Sequence, residues 1–183
     1  MDYISLNTAI SITGLSKRTL WRRIAEGVRR TDPTVEPGER TRVAVEDVAP
    51  LARLALTPAL RELAIAADVG LAEAQCDLGL TFLAEGLDAE GAAWLALAAN
   101  QAHLDAMHWL GRCLIAGRGV AADEKGGVDW IARAANYGHV SARAMVQYLY
   151  DPARPALGPA ELEAALDAIE RRVVFEARGA AGG

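Results

Sequence analysis

Residues 98–106, Ala-Ala-Asn-Gln-Ala-His-Leu-Asp-Ala, contain the pattern that decides the fold of most of this chain. The pattern is Ala-Ala-x-x-small-x-x-x-Ala, and it recurs at residues 66–74 and at residues 134–142, so the intervals are 32 and 36 residues. Self-similarity with a period of about 20–50 residues predicts an array of stacked structural units. Further features recur outside the pattern: Leu78-Gly79 as Leu110-Gly111, and Trp94 as Trp130.

The small residues of this pattern indicate how each unit folds. Paired alanines and glycines let two helix axes approach closely, and glycine ends a helix by adopting a positive φ angle. Each unit is therefore predicted to be a pair of antiparallel helices, with Trp94 and Trp130 filling the gap between helices. Residues 117–123 are the fullest version of the loop inside a pair, and residues 87–90 are its shortened counterpart. Because one pair cannot bury both of its faces, the pairs are predicted to stack into an α-solenoid.

Over residues 64–150 this pattern resembles the Sel1-like repeat, a relative of the tetratricopeptide repeat. The third unit departs from the family pattern, because Val146-Gln147 stands where Leu-Gly is expected. The resemblance implies a scaffold that binds a protein partner on its concave face and has no catalytic activity of its own. Trp109 and Tyr148 are candidates for the wall of that groove, and packing in the core is the alternative for both.

A last helix is predicted from about residue 160 to residue 177, after the breaks at Asp151-Pro152 and Gly158-Pro159. Its acidic residues lie early and its basic residues late, which agrees with the helix dipole. Two interpretations of the helix remain open: a cap on the open end of the solenoid, or a dimerisation helix. Residues 179–183, mostly glycine and alanine, are predicted to be disordered. The apolar residues of the helix form one stripe at i, i+4, i+7 and i+11: Leu162, Leu166, Ile169 and Val173.

Composition separates the repeats from the residues that precede them. Residues 1–58 contain six alanines and carry a formal charge of +2, whereas residues 59–183 contain 32 alanines and carry −7. Alanine favours helix, so the second part is predicted to be all-helical, with Thr57 capping its first helix and Pro58 in the first turn. The predicted organisation has four parts: an N-terminal domain at 1–57, repeats at 58–151, a final helix at 152–178 and a tail at 179–183.

The first part has the order helix, turn, helix, ribbon, helix. Ser5 is predicted to cap a first helix, and Gly14-Leu15-Ser16 to form a tight turn in which Leu15 packs in the core and Ser16 caps the next helix. That second helix is predicted to run from Lys17 to about Ala25. Residues 28–30 and 41–45 are then expected to pair as a ribbon. A third helix is predicted to open at Glu46-Asp47-Val48 and to reach Leu54.

This order resembles the winged helix-turn-helix of the MerR, excisionase and AlpA type. The residues that carry the resemblance include Gly14-Leu15-Ser16, Thr19-Leu20, Glu26-Gly27 and Val45-Glu46-Asp47-Val48. In that family the second helix enters the major groove of DNA and the wing touches the backbone or the minor groove. The resemblance places five side chains of the second helix at DNA: Lys17, Arg18, Thr19, Arg22 and Arg23. It makes four arginines candidates for wing contacts: Arg29, Arg30, Arg40 and Arg42.

Charge supports the same interpretation. Residues 17–30 contain six Lys or Arg and one acidic residue, which gives a local charge of +5 in a chain of net charge −5. Arginine can bind guanine in a bidentate fork, and further cations neutralise phosphates. The predicted fold class is therefore mainly α: a winged helix-turn-helix with a small β-ribbon, followed by an α-solenoid of Sel1-like helix pairs.

Several classes of protein are excluded or disfavoured. No stretch approaches 18 continuous apolar residues, so no membrane partner is expected, and the N-terminus lacks the pattern of a secretory signal. The two cysteines, Cys76 and Cys113, are too few for a disulfide framework, and both are predicted to be buried. A cytoplasmic location is therefore expected. The three histidines, predicted to lie on the surface or in a groove, have no metal-ligand spacing. No catalytic set or nucleotide-binding loop stands out, so no enzyme activity, catalytic residue, metal or cofactor is expected.

These features predict a bacterial-type DNA-binding transcriptional regulator whose helix 17–25 reads the major groove of double-stranded DNA. Its solenoid would bind a protein partner or form a homodimer. The homodimer is suggested by the fact that one recognition helix reads only a few base pairs. Two alternatives remain: a protein-interaction adaptor that does not bind DNA, and an architectural factor of the excisionase kind that bends DNA.

Overall fold

The computed structural model describes residues 2–30 and 41–181, which form ten α-helices and a two-stranded antiparallel sheet. The first elements are β1 (Tyr3–Ser5), α1 (Leu6–Thr13), α2 (Lys17–Ala25), β2 (Arg42–Ala44), α3 (Val45–Val48) and α4 (Pro58–Asp68). The remaining helices are α5 (Ala72–Ala84), α6 (Asp88–Asn100), α7 (Leu104–Ala116), α8 (Glu124–Asn136), α9 (Val140–Leu149) and α10 (Pro159–Ala181). The chain divides into two compact units, residues 1–78 and residues 79–183, with the boundary inside α5.

The predicted turn between α1 and α2 is confirmed. The side chain of Ser5 accepts a hydrogen bond from the backbone N–H of Thr8 and caps α1, and Ser16 caps α2 in the same way. Gly14 ends α1 with a φ angle of +67°, which a residue with a side chain adopts only at a cost. Leu15 is only half-buried, so it is Leu20 of α2, fully buried, that packs α2 onto the core.

The sheet differs from the predicted ribbon. β2 pairs with β1 in antiparallel register, Ile4 opposite Val43, and both of these side chains are fully buried. Residues 28–30 contribute a single bridge, from Arg30 to Val43. The prediction missed β1 because a strand of three residues is too short to show an alternating pattern.

The third helix is shorter than predicted. α3 ends at Val48, and a 3-10 turn over Ala49–Leu51 follows it before the chain becomes extended at Ala52. Pro50 explains the difference, because it has no N–H to donate to the carbonyl group of the preceding helical turn. The prediction that this helix reaches Leu54 was therefore wrong.

α4 begins as predicted, with Thr57 as its cap and Pro58 in its first turn. Its last residue, Asp68, belongs to the core of the first unit, since its side chain is only 1% exposed. The carboxylate accepts hydrogen bonds from the backbone N–H of Ser5 at 3.0 Å and from the hydroxyl of Thr8 at 2.5 Å. Arg42 of β2 donates to the same carboxylate at 2.5 Å. One buried carboxylate thus joins α4 to β1, α1 and β2.

In the second unit, helices of a pair cross at facing glycines. Gly79 of α5 lies against Gly91 of α6, and Gly111 of α7 lies against Gly127 of α8. A Cβ atom on Gly127 would come within 2.5 Å of the carbonyl oxygen of Gly111. The small residues therefore allow close contact of the helix axes, as predicted from the repeats. Trp94 is buried within its unit, whereas Trp130 is only half-buried.

The repeated alanine pattern marks the turn that leads from one helix pair to the next. The small residue of the pattern adopts a left-handed conformation each time, with φ of +98° at Gly70, +64° at Ala102 and +105° at Gly138. Ala102 is the one non-glycine residue with a positive φ angle within residues 2–30 and 41–181. Strain is therefore stored at the second turn.

Ala102→Gly is expected to stabilise the protein by about 0.5–1 kcal/mol. Relief of the left-handed alanine gains about 1–2 kcal/mol, and the greater entropy of glycine in the unfolded chain offsets part of that gain. Urea unfolding measures the change. Gly138→Ala is the reciprocal control at the equivalent turn and should destabilise the protein by about 1 kcal/mol or more, because its φ of +105° lies farther from the left-handed region that alanine tolerates. A loss of stability in Ala102→Gly would contradict the assignment of strain.

The last helix packs on its own chain. α10 contacts α9 and α7, and Leu162 and Leu166 of the predicted stripe are fully buried there, while Ile169 and Val173 are half-buried. This packing favours a cap over a dimerisation helix for the first half of α10. The helix continues to Ala181, and residues 182 and 183 lie outside the described residues.

Candidate nucleic-acid interface and protein-binding surfaces

α2 presents its cations on one exposed surface. Leu20 points into the core and Trp21 and Ile24 are half-buried, which fixes the orientation of the helix. Among the predicted DNA-contacting residues of this helix, Arg18, Thr19 and Arg22 lie on the side away from the core, with Arg23 beside them. Four of the predicted residues are exposed, namely Lys17, Arg18, Arg22 and Arg23, and Thr19 is half-buried.

Few carboxylates offset this charge. Glu26 forms ion pairs with Arg22 at 3.7 Å and with Arg23 at 3.5 Å, and all three side chains are about half exposed or more. Exposed ion pairs of this kind contribute little to the free energy of unfolding, so these arginines are available to other anionic partners. Lys17 and Arg18 form no ion pair with a residue of the described ranges. The hydroxyl of Thr19 lies 2.9 Å from that of Ser16, so the two form part of the helix cap.

The arginines predicted to lie in the wing have different surroundings. Arg29 forms two side-chain hydrogen bonds with Asp47, at 2.8 and 2.6 Å, and these hold the pKa of Asp47 at about 2. Arg42 donates to Asp68 and to the carbonyl oxygen of Tyr3. Arg30 is half-buried at its bridge to Val43, and Arg40 lies outside the described residues. The structure therefore keeps the cations of α2 together and places Arg29 and Arg42 in contacts within the protein.

The second unit contains a buried charge cluster that the sequence analysis missed. Arg112 of α7 is 4% exposed and donates to Glu163 at 2.9 Å through Nε and to Asp167 at 3.1 Å, and it also pairs with Glu170. The three carboxylates lie at i, i+4 and i+7 of α10. This spacing was visible in the sequence, but the residue that binds them lies about 50 positions earlier. Trp109, a predicted groove residue, is half-buried, and the guanidinium of Arg112 lies 4.7 Å from its ring centre.

Two histidines join this cluster. His108 is fully buried, which corrects its predicted place on the surface or in a groove, and its Nε2 lies 3.3 Å from Glu170. Its ring stacks on that of His139, with 4.5 Å between the centroids. The Nδ1 atom of His139 accepts a hydrogen bond from the N–H of Ala142 and so caps α9, as His103 caps α7. The interval of 36 residues between these two caps is a repeat signal that could have identified their role.

Burial lowers the pKa of His139 below its ordinary value of 6.5, and the neighbouring His108 lowers it further. Burial alone would raise the pKa of Glu170, but its hydrogen bond with His108 and the nearby cations bring the pKa below its ordinary value. The neutral form of His139 is therefore the one that the folded protein favours. The preference for neutral His139 stabilises the folded protein above the pKa of about 6.5 that histidine has in the unfolded chain. This stabilisation is lost as the pH falls through the lower pKa of His139 in the folded protein.

His139→Asn is expected to reduce the fall in melting temperature between about pH 7.5 and pH 5, because asparagine can cap α9 but does not titrate. The measurement is the melting temperature of both proteins across this range. His103→Asn is the control, since it changes the equivalent cap of α7. An unchanged pH dependence in His139→Asn would contradict this role.

A cleft of about 290 Å³ lies where α8 meets the turn after α6, with Trp130, Arg133 and Tyr137 along one side. The guanidinium of Arg133 lies over the ring of Trp130 at 4.8 Å, and the strained Ala102 lies on the opposite wall. Tyr137 is 66% exposed and Val140, just beyond it, is 65% exposed. Tryptophan, tyrosine and arginine are the residues that most often dominate protein interfaces. Tyr148, the other predicted groove residue, is half-buried and does not line this cleft.

Other kinds of site receive no positive indication from the geometry. Within residues 2–30 and 41–181, no three metal-binding side chains come together, and no helix combines the length and hydropathy needed to cross a bilayer. Cys76 and Cys113 are both buried, as predicted, and burial raises the pKa of Cys113 to about 11.

The described residues define a mainly helical protein: one unit holds a helix–turn–helix beside a two-stranded sheet, and the other holds packed pairs of antiparallel helices. No family model matches the sequence, and no curated protein matches it. Among solved structures, the chain is similar to the crystal structure of a Sel1 repeat protein from Oxalobacter formigenes, with 29% identity and a TM-score of 0.48. The match covers 56% of this chain and 80% of that chain.

Proposed function

We propose that this protein binds another protein through its second unit and acts as an adaptor. The observation that carries this proposal is the cleft beside Trp130, Arg133 and Tyr137. Tyr137 and Val140 lie three residues apart and are both about two-thirds exposed, so a protein that docks there would bury two large side chains. The guanidinium of Arg133 lies 4.8 Å from the centre of the Trp130 ring, so the cleft combines hydrogen-bond donors for a carboxylate or carbonyl group with an aromatic surface.

The test is site-specific cross-linking in cells that produce the full chain. A photoreactive amino acid placed at Tyr137 is expected to give a discrete covalent adduct with a partner, and Arg133→Ala should weaken it. Tyr150 is the matched control position, because it is the same residue type, is 60% exposed and does not line the cleft. Equal adducts at both positions, or none at Tyr137, would contradict the proposal.

We also propose, as a second function, that the first unit binds double-stranded DNA with α2. The exposed cations of α2, opposed by Glu26 alone on the helix and its cap, support this function. The resemblance of the sequence to the winged helix-turn-helix family supports it as well. In this arrangement α2 enters the major groove, where Arg18 and Arg22 read guanine or bind phosphates and Thr19 reaches a base edge.

Arg18→Ala/Arg22→Ala is expected to weaken DNA binding by about 30-fold or more, because each base contact contributes about 1–3 kcal/mol and the variant removes two. Each phosphate contact that is lost also lowers the salt dependence by about one released counterion. Fluorescence anisotropy of the full chain against genomic fragments, at several salt concentrations, measures this. Arg172→Ala/Arg178→Ala is the control, since it removes the same charge from exposed positions of α10. Equal losses in both variants would indicate only a nonspecific effect of net charge.

If both functions hold, the chain is a regulator that connects a DNA site to a protein partner, with no catalytic step and no cofactor. Sequence-specific sites would then contain two half-sites about one helical turn apart, occupied by two copies of the chain. If only the first holds, the chain is an adaptor whose helix–turn–helix is reused as a docking surface. DNA binding with strong bending and weak sequence preference would favour the architectural alternative.

A further inference from the structure

The contact between α10 and the rest of the second unit is unusually polar. α10 buries completely only two apolar side chains of its predicted stripe, Leu162 and Leu166. Ile169 and Val173 are half-buried, and the polar attachments of α10 are the carboxylates bound by Arg112 and His108. We use the term acceptor face for the side of α7 and α9 that α10 covers, with Arg112, His108 and His139. From Arg171 onward α10 is mostly exposed, and Phe175 is 76% exposed.

The same contact leaves buried polar atoms unsatisfied. Within residues 2–30 and 41–181, three buried side-chain atoms have no hydrogen-bond partner, and two of them, His108 Nδ1 and Glu163 Oε2, belong to this contact. A buried ionic contact of this kind is rarely more stable than an apolar contact of the same size, although it selects its partner strictly. A helix without carboxylates at these positions would leave the buried Arg112 uncompensated, so the acceptor face discriminates among helices by their charge pattern.

We propose that the acceptor face is a docking surface for an acidic amphipathic helix of a partner protein, and that α10 is its internal occupant. The partner helix would carry two leucines four residues apart and carboxylates at the positions equivalent to Glu163, Asp167 and Glu170. Charge complementarity defines this class of ligand, because a buried guanidinium group binds a helix with carboxylates readily and a helix without them poorly. This surface differs from the cleft beside Trp130, so the inference does not depend on that proposed site.

The connection to α10 allows the exchange. Residues 150–158 form neither helix nor strand, and Pro152, Pro155 and Gly158 within them disfavour continuous helix. α10 can therefore leave the acceptor face while α9 stays folded. A partner helix competes with α10 for one site, so its apparent affinity is reduced by the fraction of molecules in which α10 is docked.

The test uses the full chain and a fluorescent peptide with the sequence of residues 158–178 as the probe. Binding to the unaltered chain is expected to be weak, because α10 occupies the face. The variant Glu163→Gln/Asp167→Asn/Glu170→Gln weakens the docking of α10 and leaves the acceptor face unchanged. The peptide should bind this variant about tenfold or more tightly than it binds the unaltered chain. Adding Arg112→Met to that variant should abolish the gain. A peptide with the same three carboxylates replaced by amides is the matched control and should not bind.

Hydrogen exchange of α10 accompanies the titration and keeps the proposal falsifiable if the triple variant is unstable. In the unaltered chain, excess acidic peptide should accelerate exchange in α10 and leave α8 unchanged. Peptide binding that is unchanged in the triple variant, or that survives Arg112→Met, would overturn the proposal. A dimer of the unaltered chain that exchanges α10 between its two copies would overturn the choice of a partner protein as the occupant, whether or not the peptide binds.

Discussion

Gly127→Ala is expected to destabilise the second unit by about 2–3 kcal/mol, although alanine is the better helix former. The new Cβ would lie 2.5 Å from the carbonyl oxygen of Gly111 and 2.7 Å from the side chain of Ile115. Helix propensity returns at most about 1 kcal/mol, whereas overfilling a packed contact costs about 1–3 kcal/mol and more where backbone must move. Two helices would have to separate, so the steric term decides the sign.

Gly179→Ala is the matched control for this prediction. Gly179 is also helical, but a Cβ there meets nothing within 4 Å, so alanine should be neutral or stabilising by up to about 1 kcal/mol. Urea unfolding of both variants separates propensity from packing. Should Gly127→Ala prove as benign as Gly179→Ala, the close approach of α7 and α8 would be contradicted.

The sequence was sufficient to predict the helix boundaries where a local signal exists. Ser16 and Thr57 cap helices as predicted, because a cap depends on a side chain and a backbone N–H only a few residues away. The sequence analysis assigned positive φ angles to glycines only and did not predict the one at Ala102, where the residue type gives no indication of it. Comparison with Gly70 and Gly138 supplies that indication.

Contacts between residues distant in sequence were not predictable. Asp68 lies in a stretch that predicts only the end of a helix, yet its carboxylate binds Arg42 and the start of α1. Nothing local distinguishes it from an exposed acid. The same applies to Arg29, whose bidentate contact with Asp47 spans 18 residues. The sequence therefore predicted a cluster of cations but not which of them would form ion pairs within the protein.

His108 shows the same limit inside a helix. Its neighbours in sequence, Met107 and Trp109, are compatible with either a surface or a core position, and the repeat places no histidine at the equivalent site. Its burial depends on α10, which returns more than 50 residues later to cover α7. Only the position of α10 identifies His108 and Arg112 as one cluster.

Arg112→Met is expected to destabilise the protein by about 3 kcal/mol, the lower end of the cost of breaking a buried ion pair. Methionine fills a similar volume but leaves Glu163, Asp167 and Glu170 without their shared cation. The lower end applies because these carboxylates are between 21% and 44% exposed, so water compensates part of the loss. Urea unfolding at neutral pH measures the change.

The origin of this cost can be separated from simple loss of packing. Adding Glu163→Gln/Asp167→Asn/Glu170→Gln to Arg112→Met removes the uncompensated charge and should restore all but about 1 kcal/mol of the stability, since polar groups without charge cost less to leave unpaired. If the charges are the cause, the effects of the two sets of substitutions are strongly non-additive. Additive losses would instead mean that Arg112 stabilises α7 and α10 through its aliphatic stem and its contact with Trp109, and that its carboxylate partners are incidental.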